Sequence, residues 1–214
     1  MSLDVQMLTV GPIAENCFVV RREGSGSCLV VDPGDEHERI LATVDEMGAR
    51  VEAILVTHCH FDHVGAVAPL ATATGATVYC PEIEKGVLAD IMSYVPVPGI
   101  GPYESYDADE TVGGGETLEL AGMTIGVIFT PGHSPGHVTY SVRDEEAIFS
   151  GDVLFQGSVG RVDLPGGDGP TLMRSIRELV ESHPPEAGVY PGHMGVTTLG
   201  AERASNPFLA ELAR

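Results

Sequence analysis

Between Thr57 and His63 the chain places three imidazoles and a carboxylate, His58, His60, Asp62 and His63, within six consecutive positions. Folding alone does not ask for that density of titratable groups. Packed together they repel one another and lose hydration unless a cation compensates, and a divalent metal is the usual compensator. Neutral imidazoles and an ionised carboxylate supply lone pairs to one metal ion or to two. Cys59 lies among them, but alternation along an extended chain turns its side chain away from its neighbours.

Three further segments end in a residue able to bind metal. Ile125–Phe129 leads through Thr130-Pro131-Gly132 to His133, Ala147–Phe149 leads through Ser150-Gly151 to Asp152, and Val189-Tyr190 leads through Pro191-Gly192 to His193. A glycine stands before each, where the backbone must turn sharply and come close to whatever the side chain holds. Each signal is weak alone, because Pro-Gly-His is a common turn. Together with the first cluster they describe strand ends converging on a metal.

Strands and helices must position these residues. Strands are expected at Val5–Val10, Cys17–Arg22, Cys28–Val31 and Val51–Thr57, separated by turns at Gly11-Pro12, Gly24-Ser25-Gly26 and Asp32-Pro33-Gly34. Helical spacing of apolar residues predicts helices over 36–47, 64–74, 82–92 and 170–181, with a short one starting near Asn206-Pro207. Further strands are expected at 77–80, 116–120, 123–129, 138–142, 147–149 and 189–190. The stretch Tyr94–Asp109, rich in Pro, Gly and Tyr, reads as a long surface loop of the kind that covers binding sites. With no Ser- or Pro-rich linker, residues 1–214 are expected to form one domain of sheets covered by helices.

Composition narrows the partners. The chain has 214 residues, a formal charge of −20 and a single lysine, Lys85. Such a surface repels phosphate backbones and anionic membranes, so neither nucleic acid nor a membrane is an expected partner. No apolar run reaches the ~18–20 residues that span a bilayer, and the acidic start lacks a secretory pattern. A cytoplasmic protein, monomeric or homodimeric, is expected. The four cysteines show no Cys-x-x-Cys spacing. His37 and His183 fall outside every motif and read as solvated surface residues.

Thr57-His58-Cys59-His60-Phe61-Asp62-His63, Pro131-Gly132-His133, Gly151-Asp152 and Pro191-Gly192-His193 together resemble the metallo-β-lactamase superfamily. Within it the chain is most similar to hydroxyacylglutathione hydrolase (glyoxalase II) and its short bacterial relatives. The likeness extends to Asp32-Pro33-Gly34, to Gly157–Asp168 and to Glu202–Leu209. It implies an α+β fold, a four-layer αβ/βα sandwich of two mixed sheets flanked by helices, here without the C-terminal helical domain of the longer enzymes. It also implies that His58, His60 and His133 hold one ion, that Asp62, His63 and His193 hold a second, and that Asp152 bridges them. Asp62 and Asp152 become the catalytic carboxylates, Asp32 and His137 the groups that steady the ligands, and Arg161 a substrate contact. The two ions would be zinc, iron or manganese. A metal-bridging hydroxide would then hydrolyse an acyl thiol such as S-lactoylglutathione, and no Gly-x-Ser-x-Gly nucleophile elbow competes with that reading. The alternatives are a mononuclear iron persulfide dioxygenase, with iron on His58, His133 and Asp152, or a lactone or ester hydrolase. β-Lactamase activity is not expected.

Overall fold

The computed structural model describes residues 2–95 and 98–210. The chain divides into two compact units, residues 1–112 with 118–123, and residues 113–117 with 124–214.

In the first unit β1 (Leu3–Val10), β2 (Glu15–Arg22), β3 (Ser27–Val31), β4 (Arg50–Leu55), β5 (Thr77–Pro81) and β6 (Glu110–Val112) form one sheet in sequence order. The first three pair antiparallel and the remaining joins are parallel. Parallel neighbours need a crossover, which α1 (His37–Glu46) provides between β3 and β4, and α2 (Phe61–Val64) with α3 (Val67–Thr74) between β4 and β5. Val30, Ile54, Val56, Leu70 and Val78 are fully buried in its core. Each such aliphatic side chain contributes roughly 1.5–3 kcal/mol on leaving water. Because β3 and β4 run parallel with Val31 opposite Leu55, the residues after the two strands emerge at one edge. That is why Asp32 meets the 57–63 segment.

The second sheet runs in the order β14 (Thr197–Thr198), β13 (Gly188–Pro191), β10 (Ala147–Gly151), β9 (Val138–Val142), β8 (Met123–Phe129), β7 (Thr117–Leu120). A separate ribbon joins β11 (Leu154–Phe155) to β12 (Ser158–Val159). Both large sheets are therefore mixed, and helices flank them. In the second unit α5 (Gly169–Ser182) buries Leu172, Ile176, Leu179 and Val180, a helical stripe. It starts where Asp168 accepts a hydrogen bond from the Thr171 amide at 2.8 Å, with Pro170 in the first turn. β10 and β13 are parallel with Gly151 opposite Pro191, and β8 points the same way through β9. The chain thus leaves all three strands at one end.

Three expectations change. The helix over 82–92 is instead α4 (Lys85–Leu88) followed by a 3-10 turn at Ile91–Tyr94, because Asp90 adopts φ −145°. The helix over 64–74 is split, since the Ala66 amide bonds to the Pro33 carbonyl at 3.0 Å. Between Ser205 and the strands sits α6 (Leu199–Ser205), which lacks an apolar stripe in sequence, and the turn near Asn206 is 3-10. The loop over 94–109 ends at Asp109, and of its residues Pro96 and Val97 lie outside the described ones.

Candidate metal centre

In the first unit the backbone changes character within the cluster. His60 is extended (φ −66°, ψ 144°) and α2 begins at Phe61, so His58 and His60 belong to an extended segment while Asp62 and His63 sit on a helical turn. Residues two apart on an extended chain share a side. His58 Nε2 lies 3.1 Å from His60 Nδ1. Two nitrogens about 2.0–2.1 Å from a tetrahedral zinc stand roughly 3.3 Å apart, so this pair has the spacing of one edge of a coordination sphere. Asp62 Oδ2 and His63 Nε2, 3.7 Å apart, form a second and looser pair. Cys59 faces the other way, buried, with Sγ 3.4 Å from Cys80 Sγ. That hydrogen bond and burial push its thiol pKa well up, which disfavours a thiolate ligand.

Asp32 organises these donors. It occupies a left-handed conformation (φ 48°) that aspartate tolerates better than most residues. Its carboxylate accepts from the Thr57 amide at 2.7 Å, the Thr57 hydroxyl at 2.6 Å and His63 Nδ1 at 2.9 Å. With its proton given to Asp32, the Thr57 hydroxyl accepts from His58 Nδ1 at 3.1 Å. Both imidazoles are thereby held in the tautomer that leaves Nε2 as a lone-pair donor. Asp32, His58 and His63 place their polar atoms within 4.8 Å of one another.

In the second unit one oxygen does double duty. Asp152 Oδ2 lies 3.4 Å from His133 Nε2 and 3.7 Å from His193 Nε2. His133 Nδ1 donates to the Arg161 carbonyl at 2.8 Å, again leaving Nε2 for a metal. Gly132 at φ 131° lets the chain reach His133, and a Cβ there would stand 2.2 Å from the Leu172 amide nitrogen. His137 is fully buried with both ring nitrogens engaged. Nε2 accepts from the Asp152 amide at 3.1 Å, and Nδ1 lies 3.0 Å from the Thr130 hydroxyl. It fixes the backbone of Asp152. Arg161 contributes its carbonyl to this unit, while its guanidinium forms a bidentate pair with Asp163 at 2.6 and 2.7 Å. That bond holds the Asp163 carboxyl down at about 2.

Two supporting residues escape sequence reasoning. Glu84, buried in the first unit, accepts from the Cys59 amide at 2.7 Å and so anchors the extended half of the cluster. Buried Glu202 accepts from the Gly157 amide, the Thr197 hydroxyl and Asn206 Nδ2, and Asn206 Nδ2 also donates to the Ser158 carbonyl. A glutamate in a short helix carries no sequence mark of either role. His37 and His183 are half-buried rather than solvated, and His183 Nε2 lies 3.2 Å from the Ser141 hydroxyl.

Every donor in both sets is an imidazole or a carboxylate, the set that suits divalent zinc, iron or manganese. Residues 10–193 match the model of the metallo-β-lactamase superfamily, and the chain belongs to that superfamily. It is a metallo-hydrolase by that membership. The chain is 32% identical to a protein of Haemophilus influenzae named hydroxyacylglutathione hydrolase GloC, over 97% of this chain and 98% of the relative. Among solved structures it is similar to the BLEG-1 B3 metallo-β-lactamase (TM-score 0.91, 35% identity, 97% of this chain and 100% of that one). It is also similar to TTHA1623 in a di-iron-bound form (TM-score 0.81, 40% identity, 96% and 100%). No helix among the described residues is long and apolar enough to cross a membrane.

Proposed function

We propose that the chain hydrolyses thioesters at a two-metal centre. His58, His60 and His133 hold one ion, Asp62, His63 and His193 hold the other, and Asp152 is shared. The observation that carries this reading is the single Asp152 oxygen set between the His133 and His193 nitrogens, the placement a bridging carboxylate needs. The two donor pairs of the 57–63 segment supply what each half then lacks. Bound divalent ions supply a water of lowered pKa and polarise an acyl carbonyl.

The chain's own residues do the rest. Asp32 and the Arg161 carbonyl hold His63 and His133 in their ligand tautomers. His137 holds the Asp152 backbone. Asp62, with 12% of its side-chain surface exposed, takes the proton given up by the attacking water. A thiolate leaves without strong acid assistance, so an acyl thiol suits a site with no dedicated general acid. The named activity of the Haemophilus relative makes S-lactoylglutathione the first substrate to test.

Metal analysis of anaerobically purified protein, followed by assays on acyl thiols, a β-lactam and glutathione persulfide, decides the matter. Two ions per chain with thioester turnover is the expected result. One iron per chain with oxygen uptake and no thioester cleavage overturns it. So does β-lactam turnover alone.

A further inference from the structure

A cavity of about 480 Å³ opens in the first unit beside the helical ligand pair. Gly65 and Ala66, directly after Asp62-His63-Val64, form its floor, and the 99–104 segment forms the facing wall. Tyr103 ties that wall to the ligand segment. Its ring stacks on Phe61, which stands between His60 and Asp62, with centroids 6.0 Å apart at 24°. It also presses on Gly65, where a Cβ would come within 2.6 Å of Cε1. Nothing larger than glycine fits between Tyr103 and the Gly34 carbonyl, 2.4 Å from that Cβ position, so the floor and the wall are built as one piece.

The lining has a definite chemistry. Ile100, Tyr103 and several prolines give it an apolar surface, Asp35 and Glu104 add carboxylates, and among the described residues that line it none is lysine or arginine. Burial and the carboxylates of Asp35 and Asp62 push the Tyr103 phenol pKa up, so the tyrosine stays neutral. A carboxylate entering here would meet like charge and no cation. A compact apolar group bearing an ammonium would meet carboxylates and an aromatic ring.

We infer that this cavity is the subsite for the non-reacting tail of the substrate, and that it takes an apolar tail ending in a cation while rejecting an anionic one. The inference rests on the thioesterase reading above and adds the substrate class. Arg161, occupied by Asp163, lies in the other unit and gives this cavity no positive charge.

Three thioacetates of similar size separate the possibilities: acetylthiocholine (cationic), 3,3-dimethylbutyl thioacetate (its neutral isostere) and S-acetyl-3-mercaptopropionate (anionic). With zinc-loaded protein KM should rise in that order, the anion lying at least tenfold above the cation. Glu104→Gln and Asp35→Asn should each shrink that ratio, and Tyr103→Ala should raise KM for the cation and the neutral ester together. Equal KM values for cation and anion overturn the subsite while leaving the hydrolase standing. To keep the two failures apart, choline, 3,3-dimethylbutanol and 3-hydroxypropionate are titrated into the same ¹⁵N-labelled, zinc-loaded protein. Saturable shifts of the Ile100 and Tyr103 amides with choline, reduced in Glu104→Gln, support the subsite even without turnover. No choline-dependent shift at those amides overturns it.

Discussion

The two units prepare metal ligands by opposite means. In the first, the candidates come from one short segment, and buried carboxylates do the arranging: Asp32 through side chains and Glu84 through the Cys59 amide. In the second, the candidates come from three separate strand ends, and imidazole and carbonyl groups do the arranging: His137 on the Asp152 amide and the Arg161 carbonyl on His133. A contiguous cluster crowds its donors and needs negative charge to set their tautomers. A dispersed one needs each backbone exit fixed, because nothing in the local sequence aligns one exit with the next.

Substitutions can break or sharpen this contrast. The largest effect is expected for Asp152→Ala, which removes the shared donor. Metal content measured by plasma emission should fall below two ions per chain, and kcat/KM should drop by more than the ~100-fold that loss of a supporting residue typically brings. Wild-type turnover in this variant would end the bridging assignment. Next comes Asp32→Ala. Loss of the acceptor for His63 Nδ1 and the Thr57 hydroxyl should weaken metal affinity roughly 10–100-fold, seen as a shift in competition with a chelator. His137→Gln should cost less, about tenfold in the same titration, because an amide can still accept from the Asp152 N–H. An equal or larger loss than Asp32→Ala would show that backbone support outweighs side-chain support. The smallest effect on metal is expected for Glu202→Ala. It should destabilise by about 1–3 kcal/mol through orphaned donors, lowering Tm by roughly 2–4 °C per kcal/mol, with chelator competition within twofold of wild type.

The same contrast governs what the sequence disclosed. His58, His60, Asp62 and His63 announce themselves by density, and His133, Asp152 and His193 by a repeated strand-turn-ligand grammar. Strand positions were legible because alternation and apolar runs reflect burial on a sheet, as in Val51–Leu55 and Met123–Phe129. The short strands β11, β12 and β14 were not, since two residues carry no period. The expected helix over 82–92 failed at Asp90, and Glu84 in its middle turned out to serve the ligand segment instead of solvent. Apolar spacing reports the face a helix could bury, and it is silent on a carboxylate called inward by a backbone amide. His137 was legible only as a histidine near a motif. Its two hydrogen bonds depend on β8 and β9 lying side by side.

The switch from extended to helical backbone at His60–Phe61 also sets how this scaffold can vary. One residue inserted between His58 and His63 would rotate the helical pair by about 100° and part it from Asp32. Residues added between His133 and Asp152, or between Asp152 and His193, need only return the chain to a strand end whose position the sheet already dictates. Length variation can therefore accumulate in those two intervals and in the 95–109 loop, while the 57–63 segment admits none. New specificities would be grafted around a core whose spacing stays constant to the residue.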